Sequence, residues 1–451
     1  MAEALLSDDV VAAGGSATSL QALIDRAPIR AVQVRVVLLC ALVTFVEGVD
    51  LNLIPLLAPA IAKDWALPSA AFGAIFSSGP IGLILGGLGI GWLADRLGRR
   101  NALIAAMVLM TLATLATALA RTVPELLVCR ILTGIGFGGV VPAAAALVSE
   151  FLPTRTRASV VAFVILGQSA GGLAAALAMQ TWIGTLDWQL LILYMGIACG
   201  LVTLLLLATL PESPRYLLLR DPAGARLALL LARLRLTGTP APEAERGAQD
   251  HGRLVALFTD GRWLGTALLW ATFIGVCAAV SFFTSWLTLI LTYAGKSNLE
   301  AVRASSAYWA GGIVSGLFLP LFALRWNVNL VLMASILAAA LSSVLLGFAI
   351  GDGIGLTMAV AFACGMFASG AFYLLYPPAV RFYPTDIRST GIGAAVAFGR
   401  IGNVLSPLAA SLLLEAGFSP AMVFGAMALP LLLSATGLAI FHLGPGRKAG
   451  E

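Results

Sequence analysis

The chain has 451 residues, of which 60% are hydrophobic and only 11% charged, with a formal net charge of +5. A soluble domain carries roughly 25% charged residues, so a mean hydropathy of +0.97 excludes an ordinary soluble globule and points to a chain immersed in lipid. The five cysteines fall in five different apolar stretches without CxxC spacing, and they read as buried thiols rather than disulfides or metal ligands.

Residues 1–33 hold Glu3, Asp8, Asp9 and Asp25 ahead of any long apolar run. That is not the basic-then-apolar order of a cleavable signal peptide, so this segment is expected to be a retained cytoplasmic one. Apolar stretches long enough to cross a bilayer follow at about 34–60, 70–94, 102–120, 124–149, 158–183 and 189–210. A polar, Arg-rich linker over 211–262 separates them from six more, at about 263–292, 303–325, 328–350, 354–380, 388–414 and 419–443, before a short tail over 444–451. Arg226 to Leu236 in the linker reads as an amphipathic helix, either lying on the membrane surface or simply connecting the halves.

The expected fold is therefore an all-α membrane protein with twelve transmembrane helices in two six-helix bundles, 34–210 and 263–443. Basic residues support the even count, because cytoplasmic loops hold Lys and Arg in excess. One face collects Arg26, Arg30, Arg96, Arg99, Arg100, Arg155, Arg157, Arg325, Arg381, Arg388 and the linker arginines, the other only Lys63, Arg121, Lys296 and Arg303. Both termini are expected inside. The net charge is thus a topology signal and gives no reason to invoke nucleic acid.

An internal repeat is visible. Phe151-Leu-Pro-Thr-Arg-Thr-Arg157 before the fifth span matches Phe382-Tyr-Pro-Thr-Asp-Ile-Arg388 before the eleventh, at an offset of 382 − 151 = 231 residues. A parallel duplication places a substrate site near the midplane between two halves that rock.

Several residues carry chemistry. Glu47 and Asp50 lie mid-span, three apart and so on one helical face. Acidic residues at membrane depth usually face a cavity and mark ion or substrate paths. Two neighbouring carboxylates also disfavour double ionisation and so suit proton pick-up and release. A structural pair satisfied by helix contacts is the other reading. With His251 in the linker and His442 at the last helix end, mid-membrane proton traffic falls to carboxylates. Arg130 in the fourth span is expected to pair with them. Arg400 in the eleventh is a candidate for a substrate anion, the alternative being capture by protein carbonyls. Trp286, Tyr308, Trp309, Phe372, Tyr373 and Tyr376 could stack on a flat substrate or serve as packing residues, and Gln168 is a further candidate contact.

The segment Gly91-Trp-Leu-Ala-Asp95-Arg96-Leu-Gly98-Arg99-Arg100 resembles, at each diagnostic position, the motif between the second and third helices of the major facilitator superfamily. Arg130 to Gly139 and Pro211-Glu-Ser-Pro-Arg-Tyr216 are similar to further superfamily motifs. The resemblance implies a cytoplasmic charge latch made by Gly91, Asp95, Arg96, Gly98, Arg99 and Arg100, with Glu150 and Arg388 as further gating residues; the equivalent loop of the second half keeps only Arg325.

Within the superfamily the chain resembles the aromatic acid/proton symporter family. The carrying segments are Leu23-Ile-Asp-Arg-Ala-Pro28, Glu47-Gly-Val-Asp50, Pro142 with Ser149-Glu150, Tyr383 to Gly391, and Gly399-Arg400-Ile-Gly402. That likeness implies transport roles for Glu47, Asp50, Arg130, Glu150 and Arg400. Val49 replaces the family's aromatic residue, Ala143 stands where Asn is expected, and the tenth span lacks the usual amides, so the substrate is expected to differ from simple hydroxybenzoates.

The expectation is a proton-coupled importer of a small organic anion by alternating access, monomeric, in a bacterial inner membrane. No enzymatic activity, cofactor or metal is expected. The competing expectation is a facilitator for a sugar, cationic or zwitterionic solute, which Pro211 to Arg215 also resembles, or an exporter. The fifth span lacks the Gly-Pro pair of drug/proton antiporters, which favours import.

Overall fold

The computed structural model describes residues 19–222, 224–236 and 254–444, without the side chains of Gly91, Trp92, Asp95 and Pro320. Twelve helices among the described residues are long and apolar enough to cross a membrane. In the first half these are Ala31–Asp64, Ser69–Leu97, Arg99–Leu119, Val123–Phe151, Thr154–Trp182 and Trp188–Thr209. In the second half they are Trp263–Tyr293, Asn298–Arg325, Val328–Ala349, Ile354–Phe382, Arg388–Glu415 and Pro420–Leu443. Leucines such as Leu88, Leu119, Leu324 and Leu443 stand more than two-thirds exposed on the outer surface, where lipid rather than water must cover them.

Helix ends follow local chemistry. Thr122 caps the fourth span through its hydroxyl on the Glu125 amide, and Ser297 with Glu300 forms a reciprocal capping box on the eighth. Two spans that read as continuous in sequence are interrupted. The tenth breaks between Tyr373 and Tyr376, since Pro377 and Pro378 have no N–H to bond the carbonyls four residues back. The twelfth breaks at Met427, near Pro430, which leaves the Ala426 carbonyl without its helical donor.

The repeat reappears in three dimensions. Arg157 Nη2 donates to the Leu152 carbonyl at 3.4 Å, and Arg388 Nε donates to the Tyr383 carbonyl at 3.2 Å. The two arginines and the two carbonyls are each 231 residues apart in the chain, so each half turns its fourth-to-fifth corner with the same contact.

The amphipathic segment of the linker forms the helix Ala225–Leu234, with its apolar face turned onto protein. Leu227 packs with Leu218, Leu20 and Ile24, joining the linker to a short N-terminal helix, Leu20–Arg26. This packing favours the connecting reading of the segment, since most of its apolar stripe is taken up by protein.

The N-terminal helix also clasps the corner. The Thr154 amide and hydroxyl donate to the Asp25 carboxylate at 2.7 and 3.0 Å, so Asp25 caps the fifth span from outside its own chain segment. That amide bond, joined by the Gln21 and Thr154 side chains and opposed by burial, holds the Asp25 carboxyl below its ordinary value of 3.8. A depressed folded-state value means the stabilisation is present above the ordinary aspartate range and lost as pH falls through the folded one. Asp25→Ala should lower stability by about 0.5–1 kcal/mol at neutral pH, the low part of the capping range because the site is solvent-screened. Thermal unfolding in detergent should show that difference, and the difference should vanish in acid below the folded value.

Candidate functional site

The carboxylates lie inside the first half, mid-way along the first span. Glu47 and Asp50 are each 1% exposed and Arg130 is 5% exposed. Asp50 Oδ1 accepts a hydrogen bond from Thr114 of the third span at 3.0 Å, and Asp50 Oδ2 lies 3.7 Å from Arg130 Nη1. Glu47 Oε1 accepts from Gln168 Nε2 of the fifth span at 3.4 Å. Glu47 Oε2 and Asp50 Oδ2 are buried with no hydrogen-bond donor. Arg130 Cζ also lies 6.0 Å from the Phe137 ring centre, two turns on along the same helix face. Burial of charge at this depth is costly unless paired; here Asp50 pairs with Arg130, while Glu47, one turn away on the same helix face, has only the Gln168 amide.

Gly48, between them, lets the fifth span close in: a Cβ there would lie 2.1 Å from the Gln168 carbonyl oxygen. The same crossing presses the Gln168 side chain toward Glu47. Thr114 was missed in sequence; the signal was the Thr111, Thr114, Thr117 spacing, which puts hydroxyls on one face of an otherwise apolar helix.

The second half meets the first through Tyr373 and Arg400, and Tyr373 and Tyr376 flank the break in the tenth span. Tyr376 is 40% exposed and meets the Phe273 ring edge-on at 6.1 Å. Arg400 Nη1 donates to the Leu83 carbonyl of the second span at 3.0 Å. A protein carbonyl thus holds this guanidinium, the alternative left open in sequence. The Tyr373 hydroxyl meets the Ser169 hydroxyl of the fifth span at 2.7 Å. Trp286 is fully buried, edge-on to Phe76 of the second span at 5.2 Å, so in this conformation it packs against the opposite half.

The described hydrogen bonds between halves fall on one side of the midplane. Leu83–Arg400 and Ser169–Tyr373 sit near mid-helix; Ser77–Val404 at 2.7 Å and Gln180–Ser306 at 2.7 Å lie beyond them. All run toward the end of the bundle opposite the Leu20–Arg26 helix, called the far end below.

At the near end the loop between the second and third spans is held within the first half. Arg99 Nε lies 3.5 Å from Glu150 Oε1. Arg100 Nε and Nη2 donate to the carbonyls of Leu210 and Leu207, and the Arg100 amide donates to Glu212. The Tyr216 hydroxyl donates to the Arg96 carbonyl at 3.1 Å. Gly98 turns with φ of 96° beside Glu212, a left-handed conformation that a side chain resists. Burial pushes the Glu212 carboxyl up, against the amides of Arg100 and Ser213. The Pro211 to Arg215 segment is therefore a clasp on this loop, a role the sequence did not reveal. The side chains of Gly91 and Asp95 lie outside the described residues. Arg388 bonds locally, to Tyr383 and Thr385.

The profile of the Major Facilitator Superfamily matches residues 40–352. The chain belongs to that superfamily. It is similar to the 4-hydroxybenzoate transporter PcaK of Pseudomonas aeruginosa, 31% identical over 440 residues that cover 96% of this chain and 97% of the relative. The gallate transporter of Pseudomonas putida is 32% identical, covering 94% of each chain. In fold it is similar to the xylose transporter XylE from E. coli in a partially occluded inward open conformation, with a TM-score of 0.71, 17% identity and coverage of 91% and 97%. The family and fold are those of a multi-pass membrane transporter, not of an enzyme.

Proposed function

We propose that this protein is a proton-coupled importer of a small aromatic carboxylate, working by alternating access in a bacterial inner membrane with both termini cytoplasmic. The observation that carries the reading is the buried cluster of Glu47, Asp50 and Arg130, in a chain whose full-length relatives are named as carriers of 4-hydroxybenzoate and gallate. Two carboxylates against one guanidinium leave one negative charge in excess. A single proton makes the cluster neutral and removes the cost of moving charge through an occluded state.

In this scheme the substrate carboxylate meets Arg400, whose planar fork suits bidentate anion binding, and the ring lies among Tyr373, Tyr376 and, once the halves part, Trp286. Gln168 connects the two sites, because it touches Glu47 while lying on the fifth span next to Ser169, the partner of Tyr373. The interrupted tenth helix supports a site here, since broken helices at membrane depth line cavities. With the N-terminus inside, the far end is periplasmic, so the present conformation is closed outward. The loop Gly91 to Arg100, with Glu150 and Arg388, acts as the cytoplasmic gate. One chain holds both halves of the site, so a monomer suffices.

The test is uptake of a radiolabelled panel of 4-hydroxybenzoate, gallate, benzoate and xylose into cells expressing the protein. Accumulation of at least one aromatic acid, unaffected by excess xylose, is the expected result. Accumulation of xylose alone, or of none of the four in well-expressing cells, overturns the substrate class.

A further inference from the structure

Arg400 does not float in its site. Its Nη1 is bonded to the Leu83 carbonyl of the opposite half, and its fork lies against Gly87 one turn further along the second span. A Cβ at Gly87 would stand 2.3 Å from Nη1 and 3.5 Å from Nη2, so only glycine leaves room for the guanidinium. The notch covers the edge of the fork that presents Nη1 and Nη2. The same two spans continue in contact toward the far end, through the Ser77 hydroxyl on the Val404 carbonyl.

We infer that Gly87 and the Leu83 carbonyl form a dock for Arg400 in the empty site, so that a carboxylate substrate and closure of the far end compete for one guanidinium. The inference rests on the reading that Arg400 takes the substrate's carboxylate. Gly87 is then a positioning residue. A carboxylate forms a stronger, charge-assisted bond than a neutral carbonyl, so the anion draws Arg400 out of the dock and frees the second span from the eleventh. Conversely, when the far end closes, the Leu83 carbonyl arrives as an internal stand-in and weakens the hold on the anion. By linkage, an anion that binds better with the dock empty shifts the population toward far-end opening. Affinity is then higher facing the far end and lower facing the near end, which is the asymmetry an importer needs.

The test places spin labels at Ser69→Cys and Ala416→Cys, at the far ends of the second and eleventh spans, in a full-length background lacking the five native cysteines. The distance is measured with and without whichever acid of the uptake panel (4-hydroxybenzoate, gallate or benzoate) the parent binds most tightly, and binding of that anion is titrated. Saturating anion should lengthen the distance in the parent. Gly87→Ala should show the long distance without anion, no further response, and binding about fivefold tighter. Unchanged distances in a parent that binds the anion overturn the dock, as does a Gly87→Ala protein that folds and binds no more tightly than the parent. If Gly87→Ala fails to fold, the parent with and without anion decides alone. Arg400→Gln separates the two layers: anion binding equal to the parent's sinks the underlying role of Arg400, whereas lost binding with labels that never respond in the parent sinks only the dock.

Discussion

Asp50→Asn should abolish gradient-driven accumulation of substrate, a fall of roughly 100-fold or more, while the protein still reaches the membrane. Asparagine keeps the volume of the side chain and can still accept the Thr114 hydroxyl, whose bond to Asp50 is 3.0 Å long. What it loses is the capacity to carry a negative charge beside Arg130 and to give up a proton. Arg130 is then a buried cation without its partner at 3.7 Å, an arrangement that costs about 3–5 kcal/mol. Thermal unfolding in detergent should report that cost. The double substitution Asp50→Asn with Arg130→Gln removes the orphaned charge, so it should recover much of the thermal stability and none of the accumulation. Recovery of accumulation in the double variant would show that the pair is structural and that protons travel elsewhere.

Gly48→Ala should be nearly as damaging, for a steric reason. The added Cβ meets the Gln168 carbonyl oxygen at 2.1 Å and the Gln168 Cα at 2.8 Å. These are backbone atoms of a packed helix, which cannot rotate out of the way as a side chain does. Overpacking of this kind costs typically 1–3 kcal/mol, here expected at the upper end, and it pushes the fifth span off the first so that Gln168 loses Glu47. Gly89→Ala is the matched control, with nothing within 4 Å of its new Cβ, and it gains the better helix propensity of alanine. Thermal stability and uptake measured on both should fall together in Gly48→Ala and hold in Gly89→Ala; equal behaviour of the two would contradict the close crossing of the first and fifth spans.

The architecture was legible in the sequence because lipid makes a simple demand: about twenty apolar residues per crossing and basic residues on one side. The twelve spans and the duplication follow from that rule and from the repeat at Phe151 and Phe382. The breaks in the tenth and twelfth spans were less visible, because an apolar window does not register where Pro377, Pro378 or Pro430 removes a backbone bond.

For the site, mid-membrane charge singled out Glu47, Asp50 and Arg130, since each is costly there and must have a partner. Neutral partners left no such trace. Thr114, Ser169 and the Leu83 carbonyl are ordinary in composition and matter only because folding carries them to a charged or aromatic side chain. Glu212 and Tyr216 belong with them: their clasp on Arg96 to Arg100 joins segments more than a hundred residues apart. Gly87 is one of several glycines on the second span, with Gly82, Gly86 and Gly89, and only the Arg400 fork against it sets it apart.

The most direct test of the central claim is accumulation, in liposomes holding the purified protein, of the radiolabelled aromatic acid that the uptake panel identifies, with an imposed inward proton gradient, a collapsed one, and an equal membrane potential alone. Proton-coupled symport predicts accumulation above equilibrium with the proton gradient, loss of it on collapse by a protonophore, and loss of it in Asp50→Asn. Equilibration at the same rate with and without the gradient would show facilitated diffusion and contradict the account.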